Sequence, residues 1–205
     1  MELAARTGAW TPSGAPLPYD AEVEWIQGDN LSWIDIGISP NDINIIRVKF
    51  ETANETHSNN PMIFGGSNFS MSMFLLTMQA NGYIRYWGIG SGVSACSDRE
   101  VADYEFTLTR KNSTTGVAIG YKGGVETYRN ESEEIRYNGT GNLFLFSIAG
   151  GLRASAIKLK EFNINGEQYI PVRVGSVGCL YNKASGQMFL NSGTGAFIIG
   201  PDKTT

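Results

Sequence analysis

Histidine occurs once and cysteine twice in 205 residues, and charged side chains make up only 18% of the chain. Each scarcity closes off a chemistry. The lone His57 lies in the polar run Glu55-Thr-His-Ser-Asn-Asn60, which leaves no multi-histidine metal site and argues against a histidine-based nucleophilic triad. Cys96 and Cys179 are far apart and neither belongs to a Cys-x-x-Cys pair, so they read as two free thiols rather than as a disulfide scaffold or a zinc site. Apolar runs stop after a few residues, as at Leu143 to Phe146 and Ala196 to Ile199, which excludes a membrane-inserted segment of helical type. Sixteen basic against twenty acidic residues give a net charge of -4, and no basic cluster forms, so the electrostatic footprint of a nucleic-acid partner is missing. The first seven residues have no apolar core of the length a secretory signal needs.

What is abundant points to strands. Glycine, at 25 residues, exceeds its usual share, and Asn, Ser, Thr, Ile and aromatics outweigh the helix formers. In Asn44 to Thr52, Ile46, Val48 and Phe50 alternate with Arg47, Lys49 and Glu51, giving one buried and one wet face. Tyr104, Phe106 and Leu108 alternate in the same way with Glu105, Thr107 and Thr109. Further strands are expected at Glu22 to Ile26, Phe69 to Thr77, Tyr83 to Trp87, Gly116 to Tyr121, Val125 to Arg129, Asn142 to Ile148 and Ile157 to Ile164. Val177 to Tyr181, Gln187 to Leu190 and Phe197 to Ile199 complete the set. Asn81-Gly82 and Asn165-Gly166 are the positive-φ pairs that two-residue hairpins prefer. No amphipathic helix of useful length follows residue 20, so the expected architecture is all-β, a two-sheet antiparallel jelly-roll sandwich spanning 21–205. Its core is expected to hold Ile46, Val48, Phe50, Phe106, Leu108, Phe144 and Phe146. Residues 1–20 carry Pro12, Pro16 and Pro18 and read as an extended arm; its spaced apolar groups Leu3, Trp10, Leu17 and Tyr19 suit docking on another subunit or surface protein, the alternative being an arm folded back onto its own sandwich.

The carboxy-terminal segments are the most distinctive. They run Tyr169-Ile-Pro-Val-Arg173, Val177-Gly-Cys-Leu-Tyr-Asn182, Ser185-Gly-Gln-Met-Phe-Leu-Asn191, Gly193-Thr-Gly-Ala-Phe197 and Gly200-Pro-Asp202. Together they resemble the closing signature of concanavalin A-like, laminin-G-like jelly-roll modules found in phage structural proteins and gut-bacterial surface proteins. Glu22-Val-Glu-Trp-Ile26, Trp33-Ile-Asp-Ile-Gly37, Phe64-Gly-Gly66 and Phe162-Asn-Ile-Asn-Gly166 are similar to other pieces of those modules. The resemblance implies a non-catalytic module on a virion, or alternatively on a bacterial cell surface, serving attachment or architecture and binding a glycan or host surface polysaccharide. Lectins, adhesins and glycosidases share this scaffold, so a glycoside hydrolase or lyase, or a purely structural assembly protein, stands as the alternative. Homo-oligomers fit such modules.

Three local patterns bear on chemistry. Retaining glycosidases need two carboxylates about 5 Å apart, conveniently from one strand, and no Glu-x-Asp-x-x-Glu pattern occurs. The acidic clusters Glu22/Glu24 and Glu131/Glu133/Glu134 have the composition of strand starts and solvated turns, so no enzyme is expected. Asp42 and Asn44, within Asn41-Asp-Ile-Asn44 and near Asp29 and Asn30 in sequence, offer hard oxygen ligands for calcium, but their spacing fits no standard calcium loop and an Asx-turn before a strand is the plainer explanation; otherwise no cofactor is implied. In Tyr83-Ile-Arg-Tyr-Trp87, strand alternation puts Tyr83, Arg85 and Trp87 on one face. Two rings flanking a guanidinium suit the stacking and hydroxyl contacts of a sugar, although a half-covered sheet edge is the plainer explanation.

Overall fold

The computed structural model describes residues 16–52, 62–67, 73–78, 84–87, 102–134, 137, 139–148 and 156–204. Strands dominate them. The first are β1 (Ala21–Glu22), β2 (Ile26–Gln27), β3 (Ile34–Asp35), β4 (Ile45–Glu51), β5 (Met62–Ser67), β6 (Met73–Met78), β7 (Ile84–Trp87) and β8 (Asp103–Arg110). There follow β9 (Thr115–Lys122), β10 (Val125–Glu134), β11 (Phe144–Leu145), β12 (Lys158–Ile164), β13 (Glu167–Val174), β14 (Val177–Asn182), β15 (Met188–Phe189) and β16 (Ile198–Ile199). The helical element among the described residues is the 3-10 turn Pro40–Asp42, capped by Ser39, whose Oγ accepts from the Asn41 N–H.

These strands form a β-sandwich of two antiparallel sheets. The larger runs β10-β9-β8-β4-β12-β13-β14-β15, and the smaller runs β3-β11-β5-β6-β7. The larger sheet forks. Ile164 and Phe162 of β12 pair with Glu167 and Tyr169 of β13, but farther along the same edge Leu159 pairs with Ile26 of β2. Residues 21–27 thus fill the gap where the hairpin splays, with β1 beside β13 and β2 beside β12. On their other side lies β16, with Ile199 opposite Ile26, and Val23 bridges Asp202. The branch β13–β14 folds back over this seam; a Cβ on Gly178 would sit 3.2 Å from side-chain atoms of Ile26, Phe197 and Ile199, so only glycine lets the layers approach. At the hairpin tip Asn165 and Gly166 have φ of 52° and 88°, the left-handed pair expected from Asn-Gly. Asn81-Gly82 lies outside the described residues.

Alternation sets the core. Ile46, Val48, Phe50, Phe106 and Leu108 face inward from the larger sheet, and Phe64 of the smaller sheet meets Phe106 at 6.4 Å between ring centroids. Phe144 departs from expectation. Leu143 and Leu145 point inward, which puts Phe144 on the outer face, half-buried against Trp33 at 5.4 Å. Phe146 regains the core because its φ of 63° turns the chain, a conformation unusual for a bulky residue. β5 went unforeseen because Gly65-Gly66 resembles a turn. Both glycines instead mark close approach: a Cβ on Gly65 would lie 3.1 Å from the Ser147 carbonyl, and one on Gly66 2.7 Å from Cγ of Pro40.

A second apolar cluster forms on the far side of the β13–β14 branch, from Ile170, Val172, Cys179 and Tyr181, with Tyr19 upon them. The Tyr19 and Tyr181 rings meet edge-on at 5.0 Å, and the Asp20 N–H donates to the Arg173 carbonyl, so the body of the module begins by Tyr19. Burial pushes the free Cys179 thiol up to about 12. Cys96 and residues 1–15 lie outside the described residues.

Candidate functional site

Two outer faces are available to a ligand. On the larger sheet, the residues alternating with the core strip form a lattice of ion pairs. Arg47 meets Glu105 at 2.6 Å, Lys49 meets Glu161 at 3.0 Å, and Glu51 takes both Lys158 at 2.6 Å and Lys160 at 2.9 Å. At the β10 edge Arg129 holds Glu126 and Glu131. The hydrogen bond from Lys158, against some desolvation, holds the Glu51 carboxyl below its ordinary range. Burial of Glu161 acts the other way, yet Lys49 and Asn163 outweigh it and the net shift is again downward. Glu126 and Glu131 are lowered by Arg129, and Asp202 by Arg173. Among the described carboxyls whose ordinary value is perturbed, every shift favours the ionised form. Of the acidic clusters, Glu22 pairs with Lys183 at 3.2 Å and Glu24 is exposed, while the side chains of Glu133 and Glu134 lie outside the described residues.

The backbone around the candidate calcium residues is tied into local structure. Asn165 Oδ1 accepts from the backbone N–H groups of Asn44 and Ile45, and its Nδ2 donates to the Asp42 carbonyl. This clamp ties the 3-10 turn to the β12–β13 hairpin, leaving the side chains of Asp42 and Asn44 exposed. Asp29 serves a separate seam: Oδ1 accepts from the Leu31 N–H and Ser32 hydroxyl, and Oδ2 from the Ala196 N–H. Its desolvation is outweighed by these bonds and its carboxyl is lowered. No group of three or more His, Cys, Asp or Glu that could hold a metal ion occurs among the described residues.

On the smaller sheet the register builds a row across all strands: Asp35 opposite Phe144, Phe144 opposite Gly65, Gly65 opposite Leu75 and Leu75 opposite Trp87. Tyr86 stands instead in the row of the buried Leu76 and Phe64. The backbone therefore assigns positions 85 and 87 to the alternation of Phe144, about 14 Å away across three strand spacings. Their side chains, and Tyr83 altogether, lie outside the described residues.

At the near end of that row the side chains are in place. Trp33 and Phe144 form their edge-on pair, and beside them Asn142 Nδ2 donates to Asp35 Oδ1 at 3.0 Å and Oδ2 at 3.1 Å. All four side chains are half-buried. The backbone fixes them: Asn191 Oδ1 accepts from the Trp33 N–H, Ser192 donates to the Trp33 carbonyl, and the Gly37 N–H donates to Asp35 Oδ1. No family model matches the chain, and no curated protein does. Among solved structures it is similar to scytalido-glutamic peptidase with a transition state analog inhibitor, at 10% identity over 82% of this chain and 84% of that one, with a TM-score of 0.32.

Sequence reasoning singled out Tyr83, Arg85 and Trp87 and passed over this quartet. Trp33-x-Asp35 carried the signal of a shared strand face, but a two-residue strand is too short for periodicity to show. The partnership with Asn142 and Phe144 joins segments about a hundred residues apart and becomes visible only in the fold.

Proposed function

We propose that the chain is a non-catalytic jelly-roll module of concanavalin A-like kind, displayed on a virion or bacterial cell surface, where it serves attachment or architecture and binds glycan. The observation that carries this reading is the outer face of the smaller sheet, with its half-exposed Trp33–Phe144 pair beside a carboxylate and a carboxamide. Sugars bind through C–H faces on aromatic rings with fixed polar groups holding hydroxyls. The arm ahead of Tyr19 carries contacts to other virion or surface proteins or to a second copy of the chain, while Tyr19 packs on its own module.

A glycan array on the purified chain, run beside a polysaccharide hydrolysis screen, tests the reading. Binding without product release is the expected result. Release of reducing ends would replace it with a glycoside hydrolase of this fold, and an empty array with a structural assembly protein. Binding that collapses in chelator and returns with calcium would assign Asp42 and Asn44 as ligands.

A further inference from the structure

The quartet Trp33, Phe144, Asp35 and Asn142 also carries a statement about which glycans fit. Its polar edge is centred on a carboxylate. Asn142 Nδ2 spans both oxygens of Asp35, so its Oδ1 and its second N–H remain for a ligand, and the Asp35 carboxylate has no cationic partner among the described residues. Such an edge accepts hydrogen bonds from sugar hydroxyls and opposes a second negative charge. Alongside it, Gly37 leaves open space, with nothing within 4 Å of where a Cβ would be. The far side is bounded by Ile148 at Gly65, where a Cβ would meet it at 3.2 Å, and one row farther Met62 and Thr77 are closed to solvent. Among the described side chains, the open part of the face is therefore aromatic-floored and edged by a carboxylate.

We infer that Trp33 and Phe144 stack a neutral sugar unit whose hydroxyls donate to Asp35 and Asn142, and that uronic or sialic acid units are refused at this place. The inference rests on the glycan-binding reading. Affinity electrophoresis of the full chain through gels containing dextran, mannan, galactan or xylan, against alginate, polygalacturonate or hyaluronate, tests it. At least one neutral polymer should retard the chain and the anionic ones should not. Phe144→Ala and the shape-preserving Asp35→Asn should each weaken that retardation about tenfold, with the circular dichroism spectrum unchanged. Retardation by a neutral polymer that both variants keep overturns the site while leaving glycan binding standing elsewhere. Retardation by anionic polymers overturns the ligand class. No retardation in any gel, with an empty array, overturns both this inference and the reading beneath it.

Discussion

The two sheets share one core yet present opposite chemistry outward. The larger sheet's outer face answers its own charges: Glu51 takes two lysines, and Arg47 and Lys49 take Glu105 and Glu161. The smaller sheet leaves an aromatic pair half uncovered beside a carboxylate whose hydrogen-bond partners are an amide and a backbone N–H. A face whose charges are paired internally must break those pairs before it grips a ligand, whereas a fixed face with spare acceptors loses little on contact. On the proposed reading, that difference favours the smaller sheet as the binding face.

The largest effect should come from the floor both faces stand on. Phe106 touches Phe64 across the sandwich, so Phe106→Ala should cost about 3–5 kcal/mol in urea unfolding and erase the distinction by unfolding both sheets together. A loss below about 1 kcal/mol would mean that the sheets do not share that core. Next, Tyr19→Ala removes a ring from the second cluster and should cost about 2 kcal/mol. In a Cys96→Ser background it should also speed thiol labelling of Cys179, whose burial now suppresses the thiolate. Unchanged labelling would show that Tyr19 does not guard that side. Phe144→Ala should cost less than about 1.5 kcal/mol, because the ring is only half-buried, while abolishing most glycan retention. An equal loss in Glu51→Gln would place the ligand on the ion-pair lattice instead.

The smallest effect is electrostatic. Glu51→Gln should cost about 0.5–1 kcal/mol at neutral pH, since its pairs are partly solvated. The folded carboxyl is depressed, so the contribution of Glu51 is present above the unfolded value of about 4.3 and fades as pH falls through the lower folded value. Urea midpoints measured from pH 6 down to pH 3 should therefore drop more steeply in the native chain than in Glu51→Gln. Parallel curves would remove the pair from the stability of the larger sheet.

How much of this was legible in sequence follows from the length of each element. Strands β4 and β8 were readable because seven or eight residues alternate without interruption. The Asn165-Gly166 turn was readable because few residues tolerate its backbone. Phe144 was misplaced because its segment was taken as one alternating strand, whereas only Phe144–Leu145 pair and the chain then turns at Phe146. The clamps made by Asp29, Asn165 and Asn191 carried no pattern at all, since each is a single polar side chain reaching a distant loop. The quartet escaped notice for the same reason: its members meet through pairing, and pairing between remote short strands has no local trace.

The seam at the fork sets a timetable for the molecule. Ile26 pairs with Ile199, the Glu24 N–H donates to the Pro201 carbonyl, and the Lys203 N–H donates to the Glu22 carbonyl. During synthesis at about 5–20 residues per second, the strand at residues 21–27 waits for these partners for roughly ten seconds or more. Until they emerge, its apolar side chains lack one of their two neighbours, and the larger sheet cannot close at its centre. Closure is thus a late event that couples folding to completion of residues 198–203, and a ribosome stalled before Ile198 holds a chain with an open seam for the cell's quality control to find.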